Sequence, residues 1–176
     1  MATTTSFVTA NDSGANNWQA DDGTTGRLRQ GQTFNLTAFG DLSIPAGSTI
    51  LGIECIMEGY ASDANLGVDW IQVSNDDGTT FSTAKDINGT WSTDSSTHEV
   101  ETAGSDTDLW GMEWNIGAAE GIRVKTSGLA SLQAVFLDYF QVKITYQGPA
   151  TTYPSDDNII FNNGTLVLKG GTLEIK

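Results

Sequence analysis

Basic residues are scarce in this chain. Only 8 Lys and Arg stand against 22 Asp and Glu, a formal net charge of −14. Such a surface repels nucleic-acid phosphates, so no DNA or RNA partner is expected. The charge reads first as a solubility device. Its sharper reading is complementarity to a basic partner surface or to cations. Cysteine is nearly missing as well. Cys55 is the only one, which rules out an intrachain disulfide and suits a reducing compartment. It sits in an alternating apolar run and reads as a small buried hydrophobe rather than a nucleophile. No stretch approaches the ~20 apolar residues of a membrane span, so no membrane is expected as a partner. The opening MATTTSFVTANDSG has neither a basic n-region nor an apolar h-region, so it is not expected to be a secretory leader.

What is abundant is Thr, Ser, Asn and Gly, with short β-branched runs between them. Over 176 residues this is the composition of one all-β domain with a short appendage. Strand signals recur along the chain. QTFNLTAF (Gln32 to Phe39) alternates polar and apolar residues. TILGIECIMEGY (Thr49 to Tyr60) places Leu51, Ile53, Cys55 and Met57 on one face and Glu54 and Glu58 on the other. LGVDWIQVS (Leu66 to Ser74) puts Leu66, Val68 and Trp70 in phase, so Trp70 is expected to face the core. THEVET and GIRVKT are shorter strands. In LQAVFLDYFQVKITY (Leu132 to Tyr146) the apolar phase changes near Asp138, which predicts a bulge or sharp twist there. Asp22-Gly23, Pro45-Ala46-Gly47, Asp77-Gly78, Asn88-Gly89 and Ser127-Gly128 mark turns between the strands. Only SGANNWQAD and NIGAAEG could form a helical turn. The expected fold is an antiparallel β-sandwich, jelly-roll-like, over residues 1–146, with a small C-terminal β appendage.

QGPATTYPSDDN carries two of the three prolines and reads as a linker, residues 147–158. IIFNNGTLVLKGGTLEIK follows, residues 159–176, with turns at Asn163-Gly164 and Gly170-Gly171 between strands Thr165 to Lys169 and Thr172 to Lys176. So small a piece cannot cover Ile159, Ile160, Phe161, Leu166, Leu168, Leu173 and Ile175 by itself. These seven residues are the candidates for anchoring or oligomerisation. The piece must pack on the main domain, on other copies, or on another protein.

Constellations that could carry chemistry are few. SNDDGTTF (Ser74 to Phe81) fits the Asp-box pattern, in which Asp76 bonds backbone N–H groups, Gly78 supplies positive φ and Phe81 docks on the core. That is a folding device. Its rival is a structural Ca²⁺ loop from Asn75, Asp76 and Asp77, for which Asp86 makes a poor distal ligand. Asp21-Asp22, Asp106 with Asp108, and Asp156-Asp157 lie in turn-rich segments, where Asp bonds its own backbone. A glycosidase would need two carboxylates across a cleft, and nothing in the sequence marks such a pair. His98, the one histidine, lies in the polar run STDSSTHEVE and reads as a surface strand residue. No Gly-x-Ser-x-Gly elbow accompanies it, and one His with one Cys is short of strong zinc ligands. No phosphate-binding or dinucleotide fingerprint occurs. The expectation is therefore no enzyme, no catalytic residue and no cofactor.

The aromatics read two ways. Trp18, Trp70, Trp91, Trp110 and Trp114 with the tyrosines could fill the core or line a sugar-binding face. Trp91 is the best exposed candidate, and Trp91 with Tyr60 makes the candidate glycan platform. Trp110 and Trp114 flank Gly111, which gives the chain a bend that a side chain would obstruct, and both are expected to close one end of the sandwich, Trp110 above all.

FGDLSIPAGSTILGIECIMEG, VSNDDGTTFSTAK, TDLWGMEWN and LDYFQVKITY follow one another in order. Over roughly residues 18–146 this set resembles a β-sandwich domain of tailed-bacteriophage and prophage structural proteins. Cys55 departs from the Val, Ile or Arg types of that pattern, and residues 147–176 lie outside it. The resemblance implies a non-enzymatic virion component, a capsid decoration (cement) protein or head fibre, made in the host cytoplasm and located in the virion. The implied partners are a major capsid protein or other virion protein, and further copies in a homotrimer. The alternative is a glycan-binding module at a fibre tip that reads a host glycan during adsorption.

Overall fold

The computed structural model describes residues 1–11, 18–29, 33–40, 42–64, 66–87, 89–120, 122–128, 134–149, 159–162 and 165–168. The chain is all-β and antiparallel. Its main sheet runs β6-β5-β8-β3-β1-β9-β4-β7, with β2 also paired to β9. The strands are β1 (Ala2–Asn11), β2 (Gly26–Arg29), β3 (Thr33–Phe39), β4 (Thr49–Ala61), β5 (Val68–Ser74), β6 (Lys85–Asp86), β7 (Glu99–Ser105), β8 (Arg123–Gly128) and β9 (Ala134–Gln147). One helical turn, α1 (Ile116–Glu120), lies between β7 and β8 where NIGAAEG allowed it. Asn115 caps it, its Oδ1 accepting from the Ala118 N–H at 2.9 Å.

β1 turns the sheet back on itself. Its residues from Ala2 to Phe7 pair with β9, and its end pairs with β3 after register shifts between Val8 and Asn11. Bulges of this kind bend a strand and let it change sheets. One layer is then β7, β4, β9 and β2, and the other is β3, β8, β5 and β6, a sandwich nearly closed into a barrel. The core between the layers takes Ile53, Cys55, Met57, Leu137, Phe140, Val142 and Ile144 from the first. It takes Leu36, Val68, Ile71, Val73 and Val124 from the second. Burial pushes the Cys55 thiol far above its ordinary value, in keeping with a packing role.

In β4, β5 and β9 the expected phases hold with three shifts. In β9 the register against β4 slips between Glu58 and Gly59, which face Tyr139 and Leu137. Asp138 is the extra residue, so the bulge falls where the sequence phase breaks. A second slip between Ile50 and Gly52 turns Ile50 inward and leaves Leu51 half-buried, against the expectation for Leu51. A third, between Val68 and Trp70, turns Ile71 and Val73 inward and leaves Trp70 half-buried. The expected core position of Trp70 is thereby corrected, because one inserted residue reverses every later side chain.

The appendage forms a sheet of its own. β10 (Ile159–Asn162) pairs with β11 (Thr165–Leu168), setting Ile159 opposite Leu168 and Phe161 opposite Leu166. β11 matches the expected strand from Thr165, and IIFN adds a strand before the Asn163-Gly164 dipeptide. Leu173, Ile175, the expected strand Thr172 to Lys176 and linker residues 150–158 lie outside the described residues.

Candidate functional site

The outer face of the β9-β4-β7 layer gathers charged and aromatic side chains. On β4 the outward residues are Glu54, Ile56, Glu58 and Tyr60, opposite the inward Ile53, Cys55 and Met57. Lys143 of β9 pairs with Glu54 across the strands. One step along, Phe136 of β9 stacks on Tyr60 with centroids 4.8 Å apart and planes at 10°. His98, at the entry to β7, stacks on Tyr60 at 5.6 Å and 18°. Because β4 lies between β9 and β7, the two rings approach Tyr60 from opposite sides. The Arg27 guanidinium sits 5.9 Å from the Phe136 centroid.

Beside this stack, Glu58, His98 and Asp138 converge. One ligand atom from each lies within 4.8 Å of the others. His98 Nδ1 is 3.5 Å from Glu58 Oε1 and 3.4 Å from Asp138 Oδ2. The β9 bulge brings Asp138 here, at 1% exposure. Its Oδ2 accepts the Gly23 N–H at 3.1 Å, and its Oδ1 has no hydrogen-bond partner among the described residues. Residues before β2 seal this edge of β9. Phe140 N–H donates to the Trp18 carbonyl at 3.1 Å, and Gln19 bridges to Tyr139. Burial raises the Tyr139 hydroxyl to about 12, helped by the neighbouring charge of Glu58 and a hydrogen bond with it.

The polar run STDSSTHEVE predicts a surface strand residue at His98 and no partners for it, whereas the structure sets it between Glu58 and Asp138. The three residues are separated by 40 positions on either side of His98, at 58 and 138. The one local signal was the phase break at Asp138.

The candidate glycan platform is not assembled. Trp91 is 3% exposed, which corrects its expected exposure. Its indole occupies the inner side at Gly59, where a Cβ would stand 2.7 Å from the ring and 2.0 Å from the Phe136 carbonyl. A glycine on the inner face of β4 makes that room. Tyr60 points outward, but Phe136 and His98 already cover its two ring faces.

Asp76 closes the expected hairpin. Its carboxylate accepts from Ser74 Oγ at 2.7 Å, Thr80 N–H at 2.8 Å and Thr80 Oγ1 at 2.6 Å. Gly78 takes φ 83°, and Asp77 pairs with Arg123. Both Asp76 oxygens are thus engaged in the turn and Asp77 Oδ1 in an ion pair.

The TDLWG corner is a lock. Trp110 is buried and holds φ 57°, followed by Gly111 at φ 66°. Its indole N–H donates to the Ile53 carbonyl at 2.9 Å, and its backbone N–H donates to Asp108 Oδ1 at 2.8 Å. Ile53 N–H donates in turn to the Asp108 carbonyl at 3.0 Å. Lys85 pairs with Asp108 at 2.8 Å and lies 4.9 Å from the Trp110 ring. Burial works against the Asp108 carboxylate, but Lys85 and the Trp110 N–H outweigh it and hold it below the usual range. Trp114 is half-buried, its indole bonded to the Leu109 carbonyl at 2.9 Å.

No family model, curated protein or solved structure matches this chain.

Proposed function

We propose that this chain is a non-enzymatic structural protein of a bacteriophage virion. It acts as a capsid decoration or head-fibre protein that binds the particle and associates with its own copies, as a trimer. The observation that carries this reading is the separate β10-β11 sheet. Six of its eight residues are apolar, Ile159, Ile160, Phe161, Leu166, Val167 and Leu168. A two-stranded sheet is marginal in water and gains stability by burial against something else. Three such hairpins wound together, or one added to a capsid protein's sheet edge, would supply that burial.

The quoted motifs add support. SNDDGTTF closes a hairpin and TDLWG locks a corner, so their polar groups are used in holding the fold. That is the economy of a scaffold. The glycan alternative lacks comparable support, since the Tyr60 ring is covered on both faces.

The test uses the full chain with Phe161→Asp and Leu168→Asp, and a second form lacking residues 151–176. Both should keep the β circular-dichroism spectrum of the parent. Both should lose self-association in light scattering and cosedimentation with phage heads stripped of accessory proteins. Unchanged assembly and unchanged particle binding in both forms would overturn the reading.

A further inference from the structure

We propose that Glu58, His98 and Asp138 form a site for one divalent transition-metal ion of the zinc class. It lies on the outer face of the sandwich, independent of the virion reading. Geometry is the first ground. The His98 Nδ1 separations of 3.4 and 3.5 Å from the two carboxylate oxygens exceed the usual N–H···O hydrogen-bond range. They fit the edge of a coordination tetrahedron, since bonds of about 2.0–2.1 Å place ligand atoms ~3.3–3.4 Å apart. All three ligand atoms fall within 4.8 Å of each other.

Asp138 is the second ground. Its side chain is 1% exposed, yet Oδ1 has no hydrogen-bond partner among the described residues. A buried carboxylate calls for a compensating positive charge. The ion-pair partner within reach is His98, which two carboxylates share. A dication with neutral imidazole balances both carboxylates; one imidazolium balances only one.

Donor chemistry selects the ion. One imidazole nitrogen and two carboxylate oxygens suit zinc and its first-row neighbours, whereas Ca²⁺ prefers six to eight oxygens. Orientation is built in around the ligands. The Gly23 N–H holds Asp138 Oδ2, the Tyr60 ring fixes the imidazole plane, and Tyr139 lies beside Glu58, close enough to feel its charge. Side-chain exposures of 14% at His98 and 18% at Glu58 leave the outward position to water or to a donor from a partner. The ligands come from β4, the entry to β7 and the β9 bulge, so a bound ion would staple three adjacent segments.

The test is calorimetric titration of the chelator-stripped full chain with Zn²⁺, repeated with Co²⁺ while its visible spectrum is recorded. The expected result is one saturable site per chain, a four-coordinate Co²⁺ spectrum and a higher Tm with metal. His98→Gln and Asp138→Asn should each weaken binding by more than the ~10–100-fold that loss of an outer-shell partner costs, and Tyr139→Phe by about 10-fold. Asp76→Asn should bind like the parent, separating the site from general attraction to an acidic surface. Absence of saturable uptake by the parent chain overturns the proposal, whatever the variants do. Undiminished uptake in His98→Gln overturns it too.

Discussion

Replacing Trp110 by Phe tests how the TDLWG corner holds the sandwich. The indole N–H donates to the Ile53 carbonyl at 2.9 Å in a buried setting. Ile53 follows the bulge that sets the phase of β4, and Gly104 approaches from the other side. A Cβ at Gly104, itself at φ 85°, would stand 2.2 Å from the same carbonyl and 2.9 Å from the indole nitrogen. Leaving a buried carbonyl unsatisfied costs about 1–3 kcal/mol. The smaller ring also leaves a void and weakens the contact with Lys85, adding about 1 kcal/mol. The left-handed backbone at position 110 strains parent and variant alike, so it cancels in the difference. Together the expected loss is about 3 kcal/mol. For a domain of this size that corresponds to a Tm lower by roughly 6–12 °C. Trp114→Phe is the control. It also removes an indole hydrogen bond, to the Leu109 carbonyl at 2.9 Å, but at a solvent-accessible site. It should cost less than about 1 kcal/mol. Urea unfolding followed by circular dichroism gives both values. A Trp110→Phe protein within 1 kcal/mol of the parent, or no less stable than Trp114→Phe, would refute the lock.

Two further outcomes follow from the titrating groups. Asp76 is held down to about 2 by the Thr80 hydroxyl, the Thr80 N–H and the Ser74 hydroxyl. A depressed carboxylate contributes stability above its unfolded value that is lost as pH falls through the folded value. The hairpin should therefore weaken between about pH 4 and pH 2, and Asp76→Ala should flatten that acid limb in a Tm-versus-pH series. Cys55, fully buried with its thiol pushed upward, should resist a disulfide reagent in the native protein and react only as the chain unfolds. Rapid native labelling would contradict its core placement.

Much of this fold was legible in the chain. Alternation marked β4 and most of β9, and the Asp-box pattern specified the Ser74 to Phe81 hairpin down to the role of Asp76. Both signals are local, because each is written in residues a few positions apart. The break at Asp138 was readable for the same reason. Other features were not. β1, with MATTTSFVTAN, has little apolar contrast, yet it joins the two layers by pairing with β9 and then β3. Trp70 and Trp91 were assigned the wrong environments, since an inserted residue in β5 and the space above Gly59 decide them.

The sequence by itself determined the all-β class, the main strand phases, the turn chemistry and the presence of a buried thiol, because periodicity and turn propensity act over short distances. Only the tertiary structure decided where the phases slip and which side chains meet. Glu58, His98 and Asp138 share no local pattern. They come together because β4 lies between β7 and β9 and a bulge redirects one carboxylate toward the histidine.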